Sequence, residues 1–250
     1  MAPTTVLITG ANRGIGKGLA AAYLKTPNTT VIAACRDTSP EKTEALHSLP
    51  RGTNCNLITV SLSLDQPDSI IKTTQQLQAQ HRVSQIDVVV ANAGICEHYG
   101  PLVEMTDSDL QTHLNINTFG LMRLFQAVIP FLQSSQQQPR FVYVSTELAS
   151  LAGLEQNKAS LTNAYGMSKV AGNYFIRRAH FEHEDIITLA VDPGFVQTDM
   201  GNRGARAKGL EVATLTVEQS VNGIIQVIEQ ATKSTTSGQF LGHNGEQVPW

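Results

Sequence analysis

Seven short runs of apolar and β-branched residues recur along this chain, and segments of helical period fill most of the gaps between them. The runs are TTVLIT (4–9), TTVIAAC (29–35), NLITVSL (56–62), IDVVVAN (86–92), RFVYVS (140–145), IITLAVD (186–192) and GQFLG (238–242). Strands this apolar must be covered on both faces, and parallel neighbours need crossovers, which intervening helices supply. The pattern therefore predicts an α/β fold. We expect a doubly wound, seven-stranded parallel sheet flanked by helices on both faces, with right-handed crossovers.

With 250 residues, 41% of them hydrophobic, the chain can bury a full core, and no repeat, linker or shift in composition divides it, so one domain over 1–250 is expected. A formal charge of −3 gives no basic field for nucleic acid or an anionic membrane, and neither is expected as a partner. Cys35, Cys55 and Cys96 lack a CxxC spacing, so neither a disulfide framework nor a metal site is suggested, and a reducing, cytoplasmic setting fits best. The opening MAPTTVLITG enters a strand-like run at once without features of a leader, and no apolar run reaches the length of a membrane span.

Two helical segments carry the strongest periodicity. From Asp109 to Leu132, Leu114, Leu121, Leu124, Phe125, Val128 and Leu132 fall near one stripe, with Asn117 among them. An asparagine on a buried stripe needs a hydrogen-bonding reason to be there. In the second segment Met167, Val170, Ala171, Tyr174 and Phe175 follow helical spacing, which predicts that this face is packed. Between the two, SSQQQP reads as a polar loop that Pro139 keeps from continuing as helix.

The first run leads into TGANRGIGKG, placing Thr9, Gly10, Asn12, Arg13, Gly14, Ile15 and Gly16 where a strand turns into a helix. Glycines there permit positive φ and let a pyrophosphate approach the backbone, while the helix N-terminus attracts the anion. A plain tight turn is the alternative. The second run ends at Cys35 and is followed by Arg36; with Arg13 this gives two guanidiniums suited to a 2′-phosphate, so NADP(H) is the expected cofactor. Asp37 argues the other way, and both arginines could instead be solvated surface charges.

Tyr165 and Lys169 stand four positions apart in a helical segment, hence on one face. A phenol titrates near ~10 and exchanges protons poorly at neutral pH. A cation ~4 Å away is worth roughly 4 kcal/mol at an effective dielectric of ~20, or up to about three pK units before desolvation opposes it. The expectation is a phenol drawn toward neutral pH.

Together these residues resemble the short-chain dehydrogenase/reductase family over nearly the whole chain. The resemblance rests on TGxxxGxG at Thr9 to Gly16, NAG at Asn92, Ala93 and Gly94, Asn117 in NTFG, VST at 144–146, YxxxK at Tyr165 and Lys169, and DPGFVQTDM at Asp192 to Met200. It implies a Rossmann fold and NADPH-dependent reduction of a ketone or aldehyde, with alcohol oxidation as the reverse. Tyr165 would then be the general acid, Lys169 would hold the nicotinamide ribose, and Asn117 would anchor a water leading protons to the lysine. Asn92, Ala93 and Gly94 would run beside the cofactor, as would Pro193, Gly194, Val196 and Thr198, the threonine bonding the carboxamide. The family commonly ends its fifth strand with two serines, whereas this chain has Ser145 and Thr146; strand alignment puts Thr146 in the catalytic place, with Ser145 in reserve. The stretch from Thr146 to Tyr165 is about six residues longer than usual in the family and is expected to form a pocket wall.

Residues 198–212 occupy the position of the family's substrate-covering segment and are expected to act as a lid. The resemblance extends to ketoreductases acting on small or polyketide-like ketones, and the family often forms homodimers or homotetramers. Two other readings stay open: a catalytically silent NADP-binding scaffold and an enoyl reductase, although the first would be expected to lose Tyr165 or Lys169 and the second to space them more widely. Cys96 and His98 are expected to line a loop or pocket, since two ligands do not make a metal site, and Glu147 to be solvated.

Overall fold

The computed structural model describes residues 3–250, and in it all seven runs become parallel strands of one sheet. They are β1 (Thr4–Thr9), β2 (Thr29–Cys35), β3 (Asn56–Ser61), β4 (Val88–Ala91), β5 (Arg140–Val144), β6 (Ile187–Asp192) and β7 (Phe240–Gly242), in the spatial order β3-β2-β1-β4-β5-β6-β7. Chain direction across the sheet reverses between β1 and β4, which opens a crevice beyond the carboxyl ends of those strands. Among the described residues no helix is long and apolar enough to cross a membrane.

Among the described residues eight α-helices accompany the sheet: α1 (Gly14–Tyr23), α2 (Pro40–His47), α3 (Pro67–Ala79), α4 (Asp107–His113), α5 (Gly120–Gln133), α6 (Asn163–Glu182), α7 (Asp199–Ala207) and α8 (Val217–Gln230). Alternate strand residues enter different cores. Val6, Ile8, Val31, Val88 and Val142 join Leu19 of α1 and Ile224 of α8. Leu7, Ile32, Val89, Phe141 and Tyr143 join Leu77 of α3, Leu124 of α5 and Ile176 of α6. Each fully buried aliphatic side chain contributes roughly 1.5–3 kcal/mol, so burial on two faces explains why the strands read as near-continuous apolar runs.

The stripe expected from Asp109 to Leu132 folds as α4 and α5 joined by one π-helical turn, Leu114–Phe119. Thr106 and Asp109 close the start of α4 with a capping box. Leu121, Leu124, Phe125, Val128 and Leu132 are buried as expected, and Leu114 is half-buried. The π-turn holds Asn117, which is buried.

On α6 the expected packed face is corrected. Met167 is 46% exposed and Tyr174 70% exposed, with Val170, Ala171 and Phe175 only partly covered. The buried face consists instead of Ala164, Ser168, Lys169, Gly172, Asn173, Ile176 and Ala179. Small and polar residues face inward here because α6 lies close to β5 and the π-turn and exchanges hydrogen bonds with both. Thr118 Oγ1, for example, donates to the Ser168 carbonyl at 2.8 Å.

Candidate active site

The turn from β1 into α1 holds Gly10 at φ +65° and Gly14 at φ +52°, a left-handed backbone that favours glycine. A Cβ on Gly16 would collide with the carbonyl oxygen of Gly10, so this helix can lie against the strand end only as glycine allows. The N-cap of α1 is Arg13, which makes no side-chain cap, and the first turn carries no acidic residue. The helices α4, α7 and α8 are capped by Thr106, Thr198 and Thr216, whereas α2, α3 and α6 share with α1 the lack of a side-chain cap. The uncapped first turn of α1 suits an anion such as a dinucleotide pyrophosphate.

Two of the residues expected at the cofactor also brace the strand ends. The Thr9 hydroxyl accepts from the backbone amides of Asn92 and Ala93 at 3.0 Å each. Asn92 Nδ2 in turn donates to the Thr9 carbonyl at 2.8 Å and to that of Gly10 at 3.4 Å. These side chains brace β1 against the end of β4. Asn12 and Ile15 are half-buried in the same turn.

Arg36 is exposed after β2. Asp37 beside it accepts from the Ser39 amide at 2.9 Å, and this bond holds its carboxyl below the usual range. Asp37 is thereby turned to the start of α2. Arg13 Nη1 lies 3.1 Å from Asp199 Oδ2, an exposed pair bridging the glycine turn and α7.

Tyr165 and Lys169 occupy α6, and the lysine is almost wholly buried. Its Nζ donates to the Val144 carbonyl at 2.7 Å, sits 4.5 Å from the centre of the Tyr143 ring and lies 5.7 Å from that of Tyr165. Burial pulls the ammonium down to about 7, with Cys96 opposing. The expected acidic phenol is also corrected: burial first, then Cys96 and Asp192, push the Tyr165 phenol up, while the Thr146 hydroxyl pulls it down. Desolvation outweighs attraction here, with Lys169 Nζ hydrogen-bonded to the Val144 carbonyl of β5.

Asn117 meets the requirement for hydrogen bonds. Its Oδ1 accepts from the Ile95 amide, and its Nδ2 donates to the Ile95 carbonyl and to Ser168 Oγ, all at 2.9 Å. A Cβ on Gly94 would come within 3.0 Å of Asn117 Oδ1 and 3.5 Å of Lys169 Nζ, so glycine leaves room beside both.

Ser145 and Thr146 are separated by their partners. Ser145 donates to Asn173 Oδ1 at 2.6 Å. Thr146 accepts from the Leu148 amide at 3.3 Å and its hydroxyl reaches the Tyr165 phenol, and Ser145, Thr146 and Tyr165 all line a cavity of about 190 Å³. That cavity is largely apolar, with Leu148 and Leu161 from the long loop, and Phe195 and Met200 from the segment after β6. The loop expected to form a wall does so. Asp192 ties the walls together, accepting from the amides of Glu147 at 2.8 Å and Gly194 at 3.1 Å.

Pro193, Gly194, Val196 and Thr198 line the same cavity, and the Thr198 hydroxyl accepts from the Gly201 amide at 3.0 Å. A Cβ on Gly14 would lie 3.1 Å from Thr198 Cγ2, so the glycine turn and the start of α7 abut. Cys96 and Tyr99 are on the cavity wall, and His98 points to Asp109 at 3.8 Å. No cluster of three or more His, Cys, Asp or Glu capable of holding a metal occurs among the described residues. Glu147 is exposed at the rim.

Sequence reasoning missed Tyr143, Asn173 and the bracing role of Asp192. Tyr143 had a signal, since period two along β5 places it on the same face as Phe141, against α6. Asn173 had none, because its partner is distant in sequence; Asp192 stood in the DPGFVQTDM motif, but its bond to the Glu147 amide, 45 positions away, had no signal.

The family model described as short chain dehydrogenase matches residues 4–209. The chain belongs to the short-chain dehydrogenase family. Across 249 residues it is 41% identical to the norsolorinic acid ketoreductase of Dothistroma septosporum, covering 99% of this chain and 92% of that one. The norsolorinic acid ketoreductase of Aspergillus parasiticus is likewise 41% identical over 248 residues, with 99% and 91% covered. Among solved structures, the NADPH-bound carbonyl reductase from chicken fatty liver superposes with a TM-score of 0.87 at 27% identity over the full length of both chains. This short-chain dehydrogenase is therefore an oxidoreductase of the carbonyl-reducing kind, a group that uses nicotinamide cofactors.

Proposed function

We propose that this short-chain dehydrogenase uses NADPH to reduce the carbonyl of an apolar, polyketide-like ketone, with Tyr165 as general acid. The observation that carries the reading is one cavity bringing together the Tyr165 phenol, the Thr146 hydroxyl and the segment from Pro193 to Thr198, with Gly14 abutting Thr198 from the uncapped start of α1. The substrate class rests on the largely apolar wall and on the names of the relatives.

The first-turn amides of α1 would hold the pyrophosphate, Arg13 and Arg36 the 2′-phosphate, Lys169 the nicotinamide ribose, and Thr198 the carboxamide. NADPH, when bound, supplies the hydride that the carbonyl carbon accepts. Thr146 donates a hydrogen bond to the carbonyl oxygen and fixes its direction, a role that threonine fills with one stiff rotamer. Tyr165 gives its proton to that oxygen as negative charge develops there. The Lys169 ammonium lowers the cost of the phenolate left behind, and Asn117 keeps α6 in register with the loop after β4. The apolar walls exclude water, which strengthens each of these interactions.

A panel of ketones followed by loss of NADPH absorbance tests the assignment in wild type and Tyr165→Phe. Turnover should fall by roughly 10²–10⁴-fold in the variant. Equal rates would reject Tyr165 as the acid.

A further inference from the structure

Lys169 has an unusual environment for a buried cation. Only 3% of its surface is exposed, and it forms no ion pair among the described residues. An isolated buried ammonium is costly and tends to neutralise unless something compensates it. Two neighbours do so here: the Val144 carbonyl, which accepts from Nζ at 2.7 Å, and the face of the Tyr143 ring, whose centre lies 4.5 Å from Nζ. The negative face of an aromatic ring attracts a cation, most strongly where water is excluded.

Tyr143 is itself wholly buried and its placement is built in from three sides. It is anchored in β5. Its hydroxyl reaches toward the Asn117 carbonyl at 3.5 Å, a long contact with the π-turn. On the third side Gly172 leaves it space, for a Cβ there would collide with the phenol. A strand, a π-turn and a helix thus converge on one ring beneath the lysine.

We propose that Tyr143 is a positioning residue of the reaction, whose ring face holds the Lys169 ammonium charged and aimed beside Tyr165 where a carboxylate counterion is lacking. This rests on the reading of Lys169 as the cation that supports Tyr165. The charged and titratable groups facing Lys169 are Tyr143 from β5, Tyr165 from its own helix and Cys96 from the loop after β4; Asn117, from the π-turn, is neutral. With so few partners, loss of the ring's negative face shifts the lysine's titration directly. A ring that only filled space would leave that titration unmoved when replaced by another apolar side chain.

The test titrates Lys169 by NMR of its selectively ¹³C-labelled side chain across pH, alongside the pH profile of ketone reduction. Tyr143→Phe keeps the ring and should retain both midpoints. Tyr143→Leu should move the Lys169 midpoint and the alkaline limb of kcat/KM down by about one pH unit. Phenylalanines with one, two or three ring fluorines at position 143 preserve the shape while weakening the negative face, and their midpoints should fall stepwise. This series decides the matter even if Tyr143→Leu fails to fold. A midpoint indifferent to fluorination would overturn the proposal. Wild-type protein inert toward every ketone would refute the proposed function, whereas the NMR midpoints would still judge the role of Tyr143.

Discussion

Ser145 donates its hydroxyl to Asn173 Oδ1 at 2.6 Å, so the two hydroxyls that end β5 have different partners. Both line the cavity, but the Thr146 hydroxyl is the one that bears on the Tyr165 phenol. Thr146→Ala should lower kcat by about 10²–10³-fold, as loss of a hydrogen-bond donor to a developing oxyanion does, and Thr146→Ser should restore most of it. Ser145→Ala should instead leave kcat near wild type and cost about 1–3 kcal/mol of stability, because a buried asparagine loses its partner. Steady-state kinetics paired with urea denaturation separates the two, and a collapse of kcat in Ser145→Ala would reverse the assignment.

The proposed preference for NADPH rests on Arg36, which is exposed and whose neighbour Asp37 is occupied at Ser39. Arg36→Asp should raise KM for NADPH by at least tenfold while altering that for NADH little, since a charge-assisted bond to phosphate is lost and a repulsion added. An unchanged ratio of the two constants would show that Arg36 does not touch the 2′-phosphate.

The Arg13–Asp199 pair is highly exposed, and such pairs contribute about 0–1 kcal/mol. Asp199→Asn should therefore leave the melting temperature nearly unchanged while freeing Arg13 for the cofactor, so that NADPH binds at least as tightly. Weaker binding, measured by calorimetry, would show that the pair shapes the site instead.

Burial of Lys169 sets a pH dependence of stability. In the folded, ligand-free protein its proton leaves near pH 7, against 10.5 for the unfolded chain, so unfolding takes up a proton between those values. Its penalty is complete below pH 7 and fades as pH rises through the window. Lys169→Met should be more stable than wild type by on the order of 3 kcal/mol at pH 6, with the gap closing toward pH 10, and should be inactive. A gap that stayed constant in denaturation curves of both proteins across pH would show that Lys169 titrates alike in the folded and unfolded chains.

Residues 198–212 include α7 and carry Met200 onto the cavity wall. As a lid, this segment should exchange its amides more slowly with NADPH bound, by about tenfold or more. Identical exchange rates with and without NADPH would remove that role.

The strands were legible because both of their faces are buried, and the run at 29–35 coincides with β2 from end to end. On α6 the same reasoning failed. Hydrophobicity favoured Met167 and Tyr174, yet Ser168, Gly172 and Asn173 face inward, where hydrogen bonds to β5 and the π-turn compensate their burial. The candidate site was legible as a set of residue types in order, from Gly10 to Thr198. Its electrostatics were not, because spacing fixes that Lys169 and Tyr165 share a face but not that Val144 draws the ammonium toward the sheet.

The π-turn at Leu114–Phe119 carries one residue more than an α-helix needs over the same rise. Removing a single codon within it would let α4 run straight into α5 with both flanks still in phase, so the scaffold would survive. Asn117 would then lose its seat against Ile95 and Ser168. The deletion is expected to spare folding and cost turnover, an outcome that would make this bulge a place where such a chain gains or loses its chemistry in one genetic step.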